Sequence, residues 1–205
     1  MVTRIQALKP SIGTIPHGIA GIRIPGRLPP LDRSVVLTFD DVADGTTINT
    51  HYEGITLATV VPGQTAKGPV FARRCWDSNN PSNVMSPLAP TVIPAFDDGS
   101  GYIEVTFATS VKSVAVDAIA LAFMDLRPVT AKPYLEALDG NGNRLGRVVY
   151  PPNAADGNWG TWQRLAFDAG SPRIARLRIG SERLSASSPV YGMFDQLSFT
   201  ARLLP

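Results

Sequence analysis

The sequence holds one cysteine, Cys75, in 205 residues. An intrachain disulfide is therefore excluded, and stability has to come from packing. That suits a reducing compartment without excluding export, because a body of this size needs no covalent staple. Charge of either sign is also in short surplus, with 19 Lys and Arg against 17 Asp and Glu. The usual electrostatic case for nucleic acid or a membrane surface is absent, and no nucleic-acid partner is expected. No apolar run is long enough to span a bilayer, so membrane insertion is not expected either. Residues 1–18 lack the apolar segment of a secretory signal. Three readings stay open: export by another route, retention inside the cell, or a mature fragment. The location is left between extracellular or particle-associated and cytoplasmic.

Catalytic motifs are scarce as well. The two histidines are His17 and His51. There is no Gly-x-Ser-x-Gly elbow, no His-Glu-x-x-His pair and no glycine-rich phosphate loop. Glu53, Glu104 and Glu136 are carboxylates of the kind that pair in glycosidases. Glu104 and Glu136, however, fall on outward strand phases, which suit solvent more than a cleft. A non-catalytic protein is expected.

Turn chemistry is abundant, with 18 glycines and 18 prolines spread through the chain. This favours many short strands over a helical bundle. Residues 1–33 stand apart. They carry Arg4, Lys9, Arg23, Arg27 and Arg33 against the single acid Asp32, with prolines at 10, 16, 25, 29 and 30. Prolines at this density break helices and central strands, while the isoleucines between them argue against plain disorder. The segment reads as an extended basic arm lying on a surface, either its own body or a neighbouring subunit. Residues 34–205 form the body.

From Val35 the pattern turns to period two, the strand signal. Val35–Phe39, Gly54–Val61, Tyr102–Phe107, Lys132–Leu138, Arg144–Tyr150, Thr161–Phe167, Arg173–Ile179 and Val190–Thr200 all alternate or run apolar. Val111–Phe123 is long enough for two strands or one bent strand. Asp139-Gly140-Asn141-Gly142-Asn143 imitates the start of an EF-hand loop, but position twelve is Tyr150 and the flanks are strands, so it reads as a hairpin turn. The expected fold is all-β: a β-sandwich of two antiparallel sheets.

Several pieces, in order, resemble the galactose-binding-like jelly rolls of bacterial surface and secreted proteins, which are similar to carbohydrate-binding modules. They are Leu37-Thr38-Phe39-Asp40-Asp41-Val42-Ala43-Asp44-Gly45-Thr46, His51-Tyr52-Glu53-Gly54-Ile55-Thr56-Leu57, Pro81-Ser82-Asn83-Val84, and Gly101–Phe107 with Val111–Val116. Leu138–Asn143, Gly160-Thr161-Trp162 and Phe194-Asp195-Gln196-Leu197-Ser198-Phe199 follow. The match covers about residues 35–200. It implies a jelly roll, often with a structural calcium, and sugar binding in some members; fold alone does not give function.

Strand parity supplies a candidate for that calcium. In the last strand Met193, Asp195, Leu197 and Phe199 share one face, and Leu197 and Phe199 read as core, so Asp195 points to the core and needs a partner. Asp41 continues the inner phase of Val35, Leu37 and Phe39 past the end of the first strand. In jelly rolls of this kind the first and last strands pair antiparallel, which brings the two carboxylates to one end. Asp40 and Asp44 can complete an oxygen shell suited to calcium. The competing reading is that Asp195 caps a turn or pairs with an arginine.

Sugar sites combine an aromatic platform with amides and carboxylates. Two loops have that chemistry: Trp76, Asp77, Asn79 and Asn80 in one, Asn158 and Trp159 in the other. In each, the tryptophan can instead plug the core or its rim. Trp162 opens a strand and reads as core, although its phase relative to Leu165 and Phe167 is wrong and leaves its side open. Arg164, Arg176 and Arg178 can make a basic stripe or a solvated sheet face. Two functional readings follow. One is a calcium-stabilised, lectin-like module that binds a glycan or cell-surface carbohydrate. The other is a structural component of an oligomer or particle, with residues 1–33 binding a neighbouring subunit.

Overall fold

A computed structural model describes residues 32–61, 63–75, 83–86, 101–122, 131–151, 155–156, 159–183 and 190–202. Fourteen strands fall within them, in chain order β1 (Asp32–Leu37), β2 (Thr46–Thr47), β3 (Ile55–Val60), β4 (Phe71–Arg74), β5 (Asn83–Ser86), β6 (Tyr102–Val111) and β7 (Ser113–Ala122). The second half adds β8 (Ala131–Leu138), β9 (Arg144–Val149), β10 (Ala155–Asp156), β11 (Trp159–Gly160), β12 (Gln163–Asp168), β13 (Ile174–Arg183) and β14 (Val190–Arg202). The long alternating strands stand where period two places them. The stretch 111–123 resolves as the end of β6 and the single strand β7. Strands β2, β4 and β5 are too short to carry a periodic signal.

The strands form two antiparallel sheets, as the alternation predicts. The smaller is ordered β3-β6-β13-β8-β9. The larger has nine strands and is built on the central pair β14 and β7. Along its outer edge β14 pairs with β5 at Phe194 and with β1 from Leu197 onward. Along its outer edge β7 pairs with β12 over most of its length and with β11 at Leu121. The first strand therefore does run antiparallel to the last.

The core lies between the sheets. Ile103, Val105, Leu135, Leu177 and Ile179 come from the smaller sheet, and Val114, Val116, Leu165, Phe194 and Leu197 from the larger. Complete burial of a side chain of this size stabilises by about 1.5–3 kcal/mol. Phe39 joins this core at the end of β1 with a left-handed backbone, φ 60°. The hairpin between β8 and β9 turns as expected, with both backbone N–H groups of Asn141 and Asn143 donating to Asp139 Oδ1.

Two features depart from simple alternation. β14 carries a bulge between Asp195 and Ser198, where it advances three residues while β7 advances two, from Asp117 to Ala115. Gln196 sits in that bulge at φ 48°. Trp162 does not join Leu165 and Phe167. It packs on a second apolar cluster of Cys75, Val84, Ile119 and Met193. Cys75 is thus a buried packing residue.

Gly146, opposite Ala137 on β9, is required by close packing. A Cβ built there would come within 2.2 Å of the Phe167 ring. Gly146→Ala should therefore cost roughly 1–3 kcal/mol in a denaturant titration through overpacking. Gly140→Ala, where a Cβ meets nothing within 4 Å, should change stability by less than about 0.5 kcal/mol.

Candidate functional site

The bulge decides which side chains of the larger sheet face outward. Up to Asp195, Phe194 occupies the core phase with Ala118 opposite it. Past the bulge, Leu197 and Phe199 occupy it. An extra residue reverses strand parity, so Asp195 lies on the outer face with Met193, not on the inner face with Leu197. The equal spacing assumed from sequence is broken at this one point. Asp195 is nonetheless buried, at 1% exposure.

The pairing registers then assemble the outer face row by row. One row crosses five strands: Arg73 opposite Val84, Val84 one step from the Phe194–Met85 pair and so beside Asp195, Asp195 opposite Asp117, and Asp117 opposite Arg164. Arg164 donates from Nη1 to Asp117 Oδ1 at 2.8 Å and from Nη2 to Ser198 Oγ. Asp195 Oδ1 accepts the backbone N–H of Gln196 at 2.6 Å. The next row is Val36, Ser198, Ala115 and Ala166, and the one after it Ser34, Thr200, Ser113 and Asp168.

These two rows floor a depression of about 280 Å³ lined by Ser34, Ser113, Ala115, Ala166, Asp168, Ser198 and Thr200 together with Val114, Phe167 and Phe199. Small residues at adjacent outward positions on four strands make the trough. A larger side chain at any of them would fill it. Ser113 Oγ donates to Thr200 Oγ1 at 2.9 Å. Asp168 Oδ1 accepts the N–H of Gly170. The floor thus offers hydroxyls and one carboxylate, with the Arg164–Asp117 ion pair in the adjacent row. The sequence signal for it is Ser113 and Ala115 on one phase of β7, Ser198 and Thr200 on one phase of β14, and Ala166 on β12. It becomes visible only once those strands are known to be neighbours.

The four aspartates expected around calcium are not brought together. Asp40 Oδ1 accepts the N–H of Asn83, whose side-chain amide donates to Phe39 O and Val42 O. Asp41 accepts from Tyr52 Oη at 2.7 Å and lies 3.4 Å from His51 Nε2. Asp44 accepts from Arg73 Nε at 3.0 Å and from the Arg74 N–H at 2.9 Å. Asp195 stands on the outer face of β14. Among the described residues no three His, Cys, Asp or Glu side chains cluster as metal ligands. The donor set does not fit a calcium shell. The carboxylates instead fasten the 38–49 segment to β4, β5 and the 50–54 turn.

Of the loop residues expected to contact a ligand, Trp76, Asp77, Asn79, Asn80 and Asn158 lie outside the described residues. Trp159 is placed by its backbone alone, in β11 opposite Leu121. The basic stripe also dissolves. Arg164 is on β12 of the larger sheet, whereas Arg176 and Arg178 are on β13 of the smaller one. Glu104 and Glu136 take the outward phases expected, but both are buried and held by cations: Lys67 on Glu104, Arg178 on Glu136.

No protein-family model matches the chain, and no curated protein matches its sequence. Among solved structures it is similar to the xylan-binding module CBM15, with TM-score 0.40 and 10% identity over 82% of this chain and 97% of that one. It is similar also to the CBM22-1 xylan-binding domain from Paenibacillus barcinonensis Xyn10C, with TM-score 0.36 and 12% identity over 83% and 95%. A family 11 carbohydrate-binding module from Clostridium thermocellum gives TM-score 0.28 and 10% identity over 89% and 94%. The likeness is to carbohydrate-binding-module β-sandwiches as folds.

Titration reports on the aspartate clamp. The Arg74 N–H, more than the Arg73 guanidinium, holds Asp44 below the usual carboxylate value of 3.8. Burial, then the Asp41 hydrogen bond, pushes the Tyr52 phenol well above its ordinary range. A depressed carboxylate stabilises the fold above its unfolded pKa and loses that effect as pH falls through its folded pKa. Asp44→Asn should therefore lower the melting temperature at pH 7, and the gap to wild type should close only below about pH 4. Melts with chelator and with added calcium should superimpose, because the aspartates already have protein partners.

Proposed function

We propose that this chain is a non-catalytic, lectin-like binding module for a neutral glycan, held in the trough on the outer face of the larger sheet. The observation that carries the reading is the floor itself. It places Ala115 and Ala166 side by side at the β12 end, with Ser198, Ser113 and Asp168 next to them and Thr200 and Ser34 beyond, so donors and acceptors border a small apolar patch.

A pyranose presents the same alternation, with an apolar ring face and an equatorial rim of hydroxyls, and specificity comes from a few placed polar groups around such a surface. Arg164 adds a fixed donor in the adjacent row. Its charge is already matched by Asp117, so the site asks for hydroxyls and not for an anion. Charge-assisted hydrogen bonds from such a pair are stronger than neutral ones. Trp162, half-buried on the second apolar cluster, lies on the same face beyond the Arg164 row and outside the trough. Nothing in this chemistry requires a metal, and calcium forms no part of the reading.

The test is a glycan array of neutral and acidic sugars, run in calcium and again in chelator, on wild type and Ala166→Trp. Ala166 is exposed, so the indole should fill the trough without disturbing the core. Wild type should bind a related set of neutral glycans in both buffers, and Ala166→Trp should bind at least about tenfold more weakly with an unchanged melt. Binding that survives Ala166→Trp would remove the trough from the reading. Silence of the wild type across the array would favour the assembly reading instead. In that case deletion of residues 1–31 should dissolve an oligomer seen by light scattering.

A further inference from the structure

The outer face of the smaller sheet carries a charge arrangement of a different kind. Its registers line up Ala58, Glu104, Arg178, Glu136 and Arg147 across β3, β6, β13, β8 and β9. One row on, Arg176 and Arg144 flank Leu138, and beyond the other side lie Tyr102, Gly180 and Tyr134. Glu182 and Lys132 follow as cross-strand neighbours.

Glu104 and Glu136 are sunk beneath bases, whereas Glu182 is 45% exposed. The Glu104 side chain is 7% exposed beneath Lys67, which is 59% exposed and 2.6 Å away. Glu136, equally buried, has Arg178 at 3.3 Å and Arg144 and Arg147 at 3.8 Å. One carboxylate thus faces three guanidinium groups. Arg147 also reaches Glu182. Arg176 lies against the hairpin turn, with Nη2 3.0 Å from where a Gly142 Cβ would stand. Asp139, in that hairpin, turns its oxygens into the turn. Lys67, Lys132, Arg144, Arg147, Arg176 and Arg178 therefore outnumber the strand carboxylates Glu104, Glu136 and Glu182 on this face. The surface presented to solvent is positive although the chain as a whole is nearly neutral.

We propose that this face binds an anionic glycan, a chain bearing carboxylate or sulfate groups, as a second site on the opposite side of the sandwich from the trough. Guanidinium groups on a flat sheet suit such a chain. Arg176 and Arg178 stand two residues apart on one strand, about 7 Å, and Arg144 and Arg147 two strands away, about 10 Å. A planar fork reads carboxylate or sulfate oxygens in pairs. The aromatic rings beside them decide against nucleic acid. The Arg147 guanidinium covers Tyr134 at 4.0 Å from the ring centre, and Arg178 lies 5.1 Å from that of Tyr102. Single-stranded nucleic acid is held by base stacking on open rings, and here arginines occupy both.

The experiment measures binding of the full chain to heparin, to alginate, to dextran and to duplex DNA at low and moderate salt. Wild type should bind heparin or alginate in a salt-sensitive way and leave dextran unbound at this face. The double variant Arg144→Glu with Arg176→Glu should weaken polyanion binding roughly tenfold or more. Arg74→Glu, a charge reversal at an exposed position on the other sheet, and Ala166→Trp in the trough should bind the polyanion like wild type. Arg144→Ala alone should give a smaller loss in the same direction and serves if the double variant fails to fold. Absence of binding to both acidic glycans would overturn the proposal. So would an Arg74→Glu loss as large as that of the double variant, or tighter binding to DNA than to either glycan.

Discussion

The bulge in β14 is the constraint on which the rest of the larger sheet depends. Gln196 is held at φ 48°, a left-handed backbone that costs a non-glycine residue about 1–2 kcal/mol. The Asp195 carboxylate accepts the N–H of that same Gln196 and supports the turn locally. The return is geometric. One extra residue lets Phe194 and Leu197 both face the core, and it divides the edge of β14 between β5 and β1. The same inversion sends Asp195 outward, beside Asp117, at the head of the trough. Without it Asp195 would share the face of Leu197, as a buried anion among hydrocarbon.

The two outer faces handle charge in opposite ways. On the larger sheet Arg164 is tied to Asp117 and Ser198, and beyond that pair the floor is made of small and hydroxylated side chains. On the smaller sheet Glu104 and Glu136 are buried as a lower layer, and the long side chains of Lys67 and Arg144 reach over them with their heads in water. Tyr134 lies half-buried under this layer, and its burial raises the phenol to about 12. Exposed ion pairs of this kind add little stability each. Their consequence is the sign and shape of the surface.

Much of the fold was legible in residues 32–202. The clean alternation at 102–107 and the turn residues at 139–143 settle β6 and the β8–β9 hairpin, because period and turn chemistry are local. Trp162 shows where locality stops. Its phase excludes it from the main core, and only the presence of a second apolar cluster on the outer face explains where it goes. The inward placement of Asp195 expected from parity failed for the same reason. It rested on unbroken parity through 193–199, and a bulge is a property of the paired strand, not of either sequence alone. The expected basic stripe joined Arg164 to Arg176 and Arg178, which sequence spacing cannot assign to different sheets.

The sequence by itself determined an all-β sandwich, its long strands, its hairpin turn and the antiparallel meeting of first and last strands. These follow from hydrophobic period, from residues that tolerate positive φ, and from the resemblance to jelly rolls. Only the tertiary structure decided which small residues lie side by side to form a trough, and which carboxylates are buried beneath arginines. Register and sheet membership are set by pairing between segments far apart in the chain. A surface made from one residue of each of four or five strands exists only after that pairing is fixed.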